Sequence, residues 1–85
     1  MKIKKTWKVN KKIDQLEGIK TDFIGAYNWA EDMNSASYLL DKFAEEVAIS
    51  KENGTWFIDG NKWSVKDKRF SMAICLAYIQ WKKTI

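Results

Sequence analysis

Ala36, Leu39, Leu40, Phe43, Ala44 and Val47 recur at i, i+3, i+4, i+7, i+8 and i+11, the spacing of one apolar face of an amphipathic helix. Asn34 or Ser35 stands at its start, where a short side-chain oxygen can accept a free backbone N–H. Asp41, Glu45 and Glu46 crowd the other end, where the helix dipole disfavours negative charge. The pattern therefore predicts a helix over about residues 34–45 that stops near Ala44 or Glu45 and hands over to a strand.

The period then changes from helical to two. Residues 53–65 read NGTWFIDGNKWSV, with turn signatures at Asn53-Gly54 and around Gly60-Asn61. A two-residue turn at Asn53-Gly54 sets Ile49 opposite Ile58 and Lys51 opposite Trp56. A second turn at Gly60-Asn61 pairs Ile58 with Trp63 and Trp56 with Val65. Both registers put Val47, Ile49, Trp56, Ile58, Trp63 and Val65 on one face. Ala48, Ser50, Phe57, Lys62 and Ser64 fall on the other, and two turn signals agreeing on one apolar face predict a three-stranded antiparallel meander over about residues 46–66.

Asp67 is placed to cap a last helix over about residues 68–83. Its stripe of Phe70, Ala73, Ile74, Ala77, Tyr78 and Trp81 is widened by Met72, Leu76 and Ile79, and Lys82 and Lys83 suit the dipole at its end. So broad an apolar surface needs cover from a sheet and from another helix or subunit, which predicts a homodimer. The first 25 residues are harder to assign. Met1 to Val9 alternates like an edge strand, although Ile3 and Trp7 also have helical spacing. Asn10 can cap a short helix carrying Ile13 and Leu16 and closed by Gly18, while residues 19–30, with Phe23, Ile24, Tyr27 and Ala30 around Gly25, read as either a helix or an aromatic-rich loop. The expected fold class is α+β, a three-stranded antiparallel β-meander packed against helices in a small sandwich-like single domain over residues 1–85, with its core in 29–85.

At 85 residues the chain buries roughly 60% of its unfolded surface, so one thin core is expected. Five Trp, three Tyr and four Phe supply that core with large rings. Met72 to Ile79 is the longest apolar run, far below the roughly 20 residues of a membrane span, so the chain is expected to be soluble, with no membrane partner. A lone Cys75 excludes a disulfide scaffold within the chain and fits a cytoplasmic setting. Charge is uneven: Lys2, Lys4, Lys5, Lys8, Lys11 and Lys12 open the chain without an acid, whereas the middle is acidic.

Two segments resemble a known family. WAEDMNSA (Trp29 to Ala36) is similar to the aromatic-Ser-x-Asp-x-x-Ala-Ala stretch that opens a helix in small phage proteins of the phage ABA-sandwich type. AICLAYIQWK (Ala73 to Lys82) is similar to the Ala-Ile-Cys-x-Ala opening of that family's final helix. The order between them, helix, strands with a Trp, then helix, also resembles the family. Trp29 stands where the family has Tyr, and Ala30 where it has Ser. The resemblance spans about residues 29–82 and implies a sheet packed between helices and a bacteriophage or prophage origin; it brings no activity with it.

Candidate chemistry is sparse. Without His the commonest general base is missing, and Cys75 lies mid-helix among Ile74, Leu76 and Ala77 where a thiol is inert packing. No Gly-rich phosphate loop, calcium-loop spacing or metal-ligand set is present, so the expectation is a non-enzyme with no cofactor. Binding remains. Trp29, Asp32 and Asn34 open the first clear helix, where a ring stacks on a base and free N–H groups favour anions. Lys62 and Arg69 flank the strands and supply charge for a phosphate. The alternative roles are core packing for Trp29 and helix capping for Asp32. The expected function is capture of an anionic, nucleotide-like small ligand in antagonism of a bacterial defence, with Trp29 so exposed that its loss leaves the melting temperature unchanged. A protein-interaction inhibitor of a host or phage protein is the alternative, and nucleic-acid binding through the lysine-rich N-terminus is a third.

Overall fold

The structure, a computed structural model, describes residues 5–19 and 27–85. Its elements run α1 (Lys5–Leu16), α2 (Met33–Leu40), a 3-10 turn (Ala44–Glu46), β1 (Ala48–Glu52), β2 (Thr55–Asp59), β3 (Ser64–Asp67) and α3 (Phe70–Lys83). The α+β class and the antiparallel meander are as the sequence predicts. The N-terminal edge strand is not, as far as it is described: Lys5 to Val9 is the start of α1, and Asn10 lies inside that helix rather than capping it. The rest of that strand, with Ile3, and Phe23, Ile24 and Gly25 of the ambiguous stretch lie outside the described residues.

Alternation over five residues misled because α1 carries two half-stripes on one face. Val9 and Ile13 are apolar and buried, and Thr6, Asn10 and Asp14, one turn apart, are polar and also buried. Gly18 closes the helix at φ +71°, with Gly18 N–H donating to Gln15 and Ile19 N–H to Asp14, the hydrogen-bond pair of a left-handed C-terminal cap.

Helix α2 starts and stops earlier than its apolar spacing predicts. Asp32 is the N-cap, its carboxylate accepting from Asn34 N–H at 3.0 Å, so the cap is neither Asn34 nor Ser35. After Leu40, Lys42 and Phe43 donate to carbonyls three residues back, a tightening that ends the α-helix while still delivering Phe43 to the core. Glu45 and Glu46 are thereby kept off an α-helical C-terminus, whereas Asp41 remains at it as the C-cap of α2.

In the sheet, Asn53 (φ 51°) and Gly54 (φ 78°) make the left-handed two-residue turn and set Ile49 against Ile58 and Lys51 against Trp56. The second hairpin departs from the two-residue expectation by two: Ile58 pairs with Val65 and Trp56 with Asp67. A longer loop, closed by Gly60 N–H to the Trp63 carbonyl at 3.0 Å, replaces the tight turn. The Trp63 indole lies directly on Gly60, where any Cβ would sit 2.1 Å from the ring. A shift by two leaves every side chain on its expected face, which is why Trp56, Ile58, Trp63 and Val65 still face the core. Ile49, expected on that face too, is 39% exposed at the edge strand. Ile58 is fully buried, Trp56 and Trp63 are half-buried against the core, and Phe57 on the far face is half-buried too.

Helix α3 contacts β2 and β3 on one side and α1 and α2 on the other. Met72, Ala73, Ile74, Cys75, Ala77 and Tyr78 are all buried there. Its apolar breadth, read above as a sign of a homodimer, is thus covered within one chain. Asp67 does not cap α3 directly; it accepts from Arg69 N–H at 2.9 Å and turns the chain from β3 into the helix, whose N-cap position is Arg69.

Replacing Ile58, the fully buried side chain of the sheet, by Ala is expected to cost about 2–5 kcal/mol. Ile49→Ala on exposed β1 is expected to change stability by less than about 0.5 kcal/mol. Urea unfolding of the two variants checks this, and equal midpoints would refute the burial of Ile58 relative to Ile49, its exposed cross-strand partner on the same face.

Candidate functional site

The turn at residues 28–31 reaches the core through α1. Asn10 donates its side-chain amide to Asn28 at 2.8 Å and accepts from Ala30 N–H at 2.8 Å, while Asp14 accepts the Trp29 indole N–H at 2.8 Å. Thr6 donates to Glu31 at 3.1 Å, and Ser71 of α3 donates to the Ala30 carbonyl at 2.7 Å. Among the described residues no buried side-chain polar atom lacks a hydrogen bond.

This latch fixes one wall of a hollow of about 510 Å³ lined by Glu17, Ile19, Tyr27, Trp29, Asn34, Ser35 and Tyr38. Both tyrosine rings lie against Trp29. Tyr27 stacks on Trp29 at 4.9 Å between centroids and 27°, and Tyr38 lies 6.3 Å away at 30°. Trp29 is only 3% exposed, whereas Tyr27 and Tyr38 are 45% and 57% exposed. The surfaces open to a planar ligand are therefore the tyrosines, with Trp29 behind them.

Charge enters through Lys42. Its ammonium lies 4.8 Å over the Tyr38 ring and 2.5 Å from Glu17 Oε1, and Glu17 Oε2 accepts the Tyr78 hydroxyl. The Glu17 side chain is 8% exposed. Burial by itself would raise its pKa, but the hydrogen bonds from Lys42 and Tyr78 and the charges of Lys42 and Lys82 together hold it below the ordinary carboxyl value. Lys42 is shifted the other way: burial would lower its pKa, and the Glu17 hydrogen bond and charge raise it. Burial, then the bond to Glu17, push the Tyr78 hydroxyl up.

The structure divides the residues singled out from sequence. Trp29 and Asn34 line this hollow, and Asp32 adjoins it. Asp32 does not leave the helix start open to an anion: its carboxylate already takes Asn34 N–H and the Ser35 hydroxyl, and its carbonyl takes Ala36 N–H. Lys62 and Arg69 are elsewhere. Lys62, at φ 71°, lines a second hollow of about 350 Å³ with Glu46, Trp63 and Trp81, and Arg69 is paired with Asp67 at 3.6 Å. The expectation that Trp29 is an exposed platform is corrected by its burial and its bond to Asp14.

Tyr27, Tyr38 and Lys42 were missed. Tyr38 had a signal, being an aromatic residue off the apolar stripe of its own helix, and Lys42 had none because its position depends on the tightened turn after Leu40. Cys75 is buried, and burial pushes its thiol up to about 12, far from a reactive thiolate. Among the described residues no cluster of Cys, Asp and Glu could hold a metal ion, and no helix is long and apolar enough to cross a membrane. Comparison with protein families, curated proteins and solved structures finds no match to the chain.

Two outcomes test this geometry. Trp29→Ala is expected to destabilise the fold by about 3–5 kcal/mol, as for other buried large rings, and an unchanged melting temperature would refute the latch. For Glu17, the folded pKa is depressed from 4.5, so its stabilisation is present above about pH 4.5 and is lost as pH falls through the lower folded value. The stability advantage of the wild type over Glu17→Gln should therefore be constant at pH 6–7 and shrink below about pH 4.5. A gap that widens on acidification would contradict the Lys42 and Tyr78 contacts.

Proposed function

We propose that this chain is a non-catalytic binding protein that captures a ring-bearing, anionic, nucleotide-like small ligand in the Tyr27–Trp29–Tyr38 hollow, and that it does so as a phage-type antagonist of a bacterial defence. The observation that carries the reading is the pairing of two exposed tyrosine rings, both set against Trp29, with a polar edge. A volume of about 510 Å³ lies within the range of small-molecule sites, which bind through aromatic walls and a few placed polar groups. Asn34 offers both donors and an acceptor for the edge of a base. Lys42 takes over the role the sequence gave to Lys62 and Arg69: one of its three N–H donors goes to Glu17, which leaves others for a phosphate at the rim. The lack of His and the inert Cys75 support stoichiometric binding over turnover. The phage setting rests on the WAEDMNSA and AICLAYIQWK resemblance.

Inhibition of a host or phage protein is the second reading. It is favoured by the exposure of Tyr27, Met33 and Tyr38, on α2 and just before it, since exposed aromatic and Met side chains are typical anchors of an interface.

Native mass spectrometry of gently purified protein, with absorbance at 260 nm, separates the two: a retained small nucleotide supports the first and a co-purifying polypeptide the second. Calorimetry with linear and cyclic nucleotides should then show binding that weakens with salt, because rim charges are screened over about 10 Å at 0.1 M. Tyr38→Ala should abolish the heat while shifting stability by no more than about 1 kcal/mol, as expected for an exposed side chain. Binding unaffected by Tyr38→Ala would remove this site.

A further inference from the structure

We propose that the exposed face of α1 is a second, independent site that binds single-stranded nucleic acid, with Trp7 stacking on a base and Lys8, Lys11 and Lys12 holding the phosphates. The folding of Lys5–Leu16 into a helix is what assembles it. Trp7, Lys8, Lys11, Lys12 and Gln15 fall at i, i+1, i+4, i+5 and i+8, so they share the side opposite the buried Thr6, Val9, Asn10, Ile13 and Asp14. Trp7 is 49% exposed, in a protein whose other four tryptophans are buried or half-buried, and the three lysines around it are exposed. Lys8 and Lys12 are one turn apart, about 6 Å along the axis, and form a row beside the ring.

Among the described residues the carboxylates nearest α1 are already engaged by other groups. Asp14 is fully buried against the Trp29 indole. Glu17 is bound by Lys42 and Tyr78, and Glu31 on the adjoining turn accepts from Thr6 and Asn28. An aromatic platform with a cationic track is the arrangement that holds unpaired nucleic acid without reading its sequence.

A lipid surface fits less well. An interfacial helix needs its apolar face free to enter the bilayer, and the apolar side chains of α1, Val9 and Ile13, are buried in the core, where α1 packs on α3. A duplex keeps its bases stacked on each other and offers no open base face for the Trp7 ring to stack on.

Fluorescence anisotropy tests the proposal, using a labelled oligothymidylate, a duplex of the same length and, by co-sedimentation, anionic phosphatidylserine vesicles. The single strand should bind most tightly. With three phosphate contacts contributing a slope of about −0.7 each, affinity should fall roughly 20-fold between about 50 and 200 mM salt. Trp7→Ala should weaken binding roughly tenfold with the salt slope unchanged, and Trp7→Phe should restore most of it. Lys8→Gln combined with Lys12→Gln should flatten the slope by about 1.4. All these positions are exposed, and circular dichroism confirms that the variants fold. No binding at low salt, equal or tighter binding of the duplex or vesicles, or indifference to Trp7→Ala would each overturn the proposal. Tyr38→Ala should leave this binding intact, which keeps the outcome separate from that of the hollow.

Discussion

Everything on the ring-bearing side of this molecule hangs on a row of three polar side chains. Thr6, Asn10 and Asp14 are buried at successive turns of α1, and together they take hold of the 28–31 turn through Glu31, Asn28, the Ala30 N–H and the Trp29 indole. Burying polar groups is costly unless each is hydrogen-bonded, and removing one partner leaves the other desolvated. The network is therefore close to all-or-none: a turn that docks in any other register orphans several groups at once. Apolar contacts would tolerate sliding. These bonds do not, and they specify where Trp29 lies.

Helix α3 is the second constraint. It lies between the sheet and the other two helices, so its middle must be apolar nearly all round, and Ser71 is the place where it joins the latch by donating to Ala30. At its far end Tyr78 reaches Glu17, which also holds Lys42. One carboxylate at the end of α1 thus ties together three segments distant in sequence. A partly buried pair of this kind is weak evidence of net stabilisation, but it fixes geometry, and here it places the ammonium over the Tyr38 ring.

How much of this was legible follows from which residues carry the pattern. The meander was, because Asn53-Gly54 requires positive φ at both positions and the alternation of Trp56, Phe57 and Ile58 admits one inner face. The second hairpin's register was not, since the Trp63 ring resting on Gly60 is a tertiary contact with no local signature. Helix α1 was obscured because half of its buried face is polar: Thr6, Asn10 and Asp14 read as solvated positions until their partners fifteen or more residues away are in place. The site split along the same line. Trp29 and Asn34 are near in sequence and stayed together, whereas Lys62 and Arg69 were joined to them only by charge, and the fold sends them elsewhere.

The latch also explains how so small a domain can keep a preformed hollow. Ordering an exposed loop on binding costs conformational entropy that subtracts from affinity, and an 85-residue core has little stability to spare. With Trp29 locked to Asp14 and used as backing, Tyr27 and Tyr38 each rest against a fixed ring. The residue that organises the rings is thus distinct from the residues whose rings are exposed. Trp29 serves the fold through its burial and its bond to Asp14, while Tyr38 presents its ring to solvent, so the stabilising and the exposed roles fall on different side chains of the same hollow.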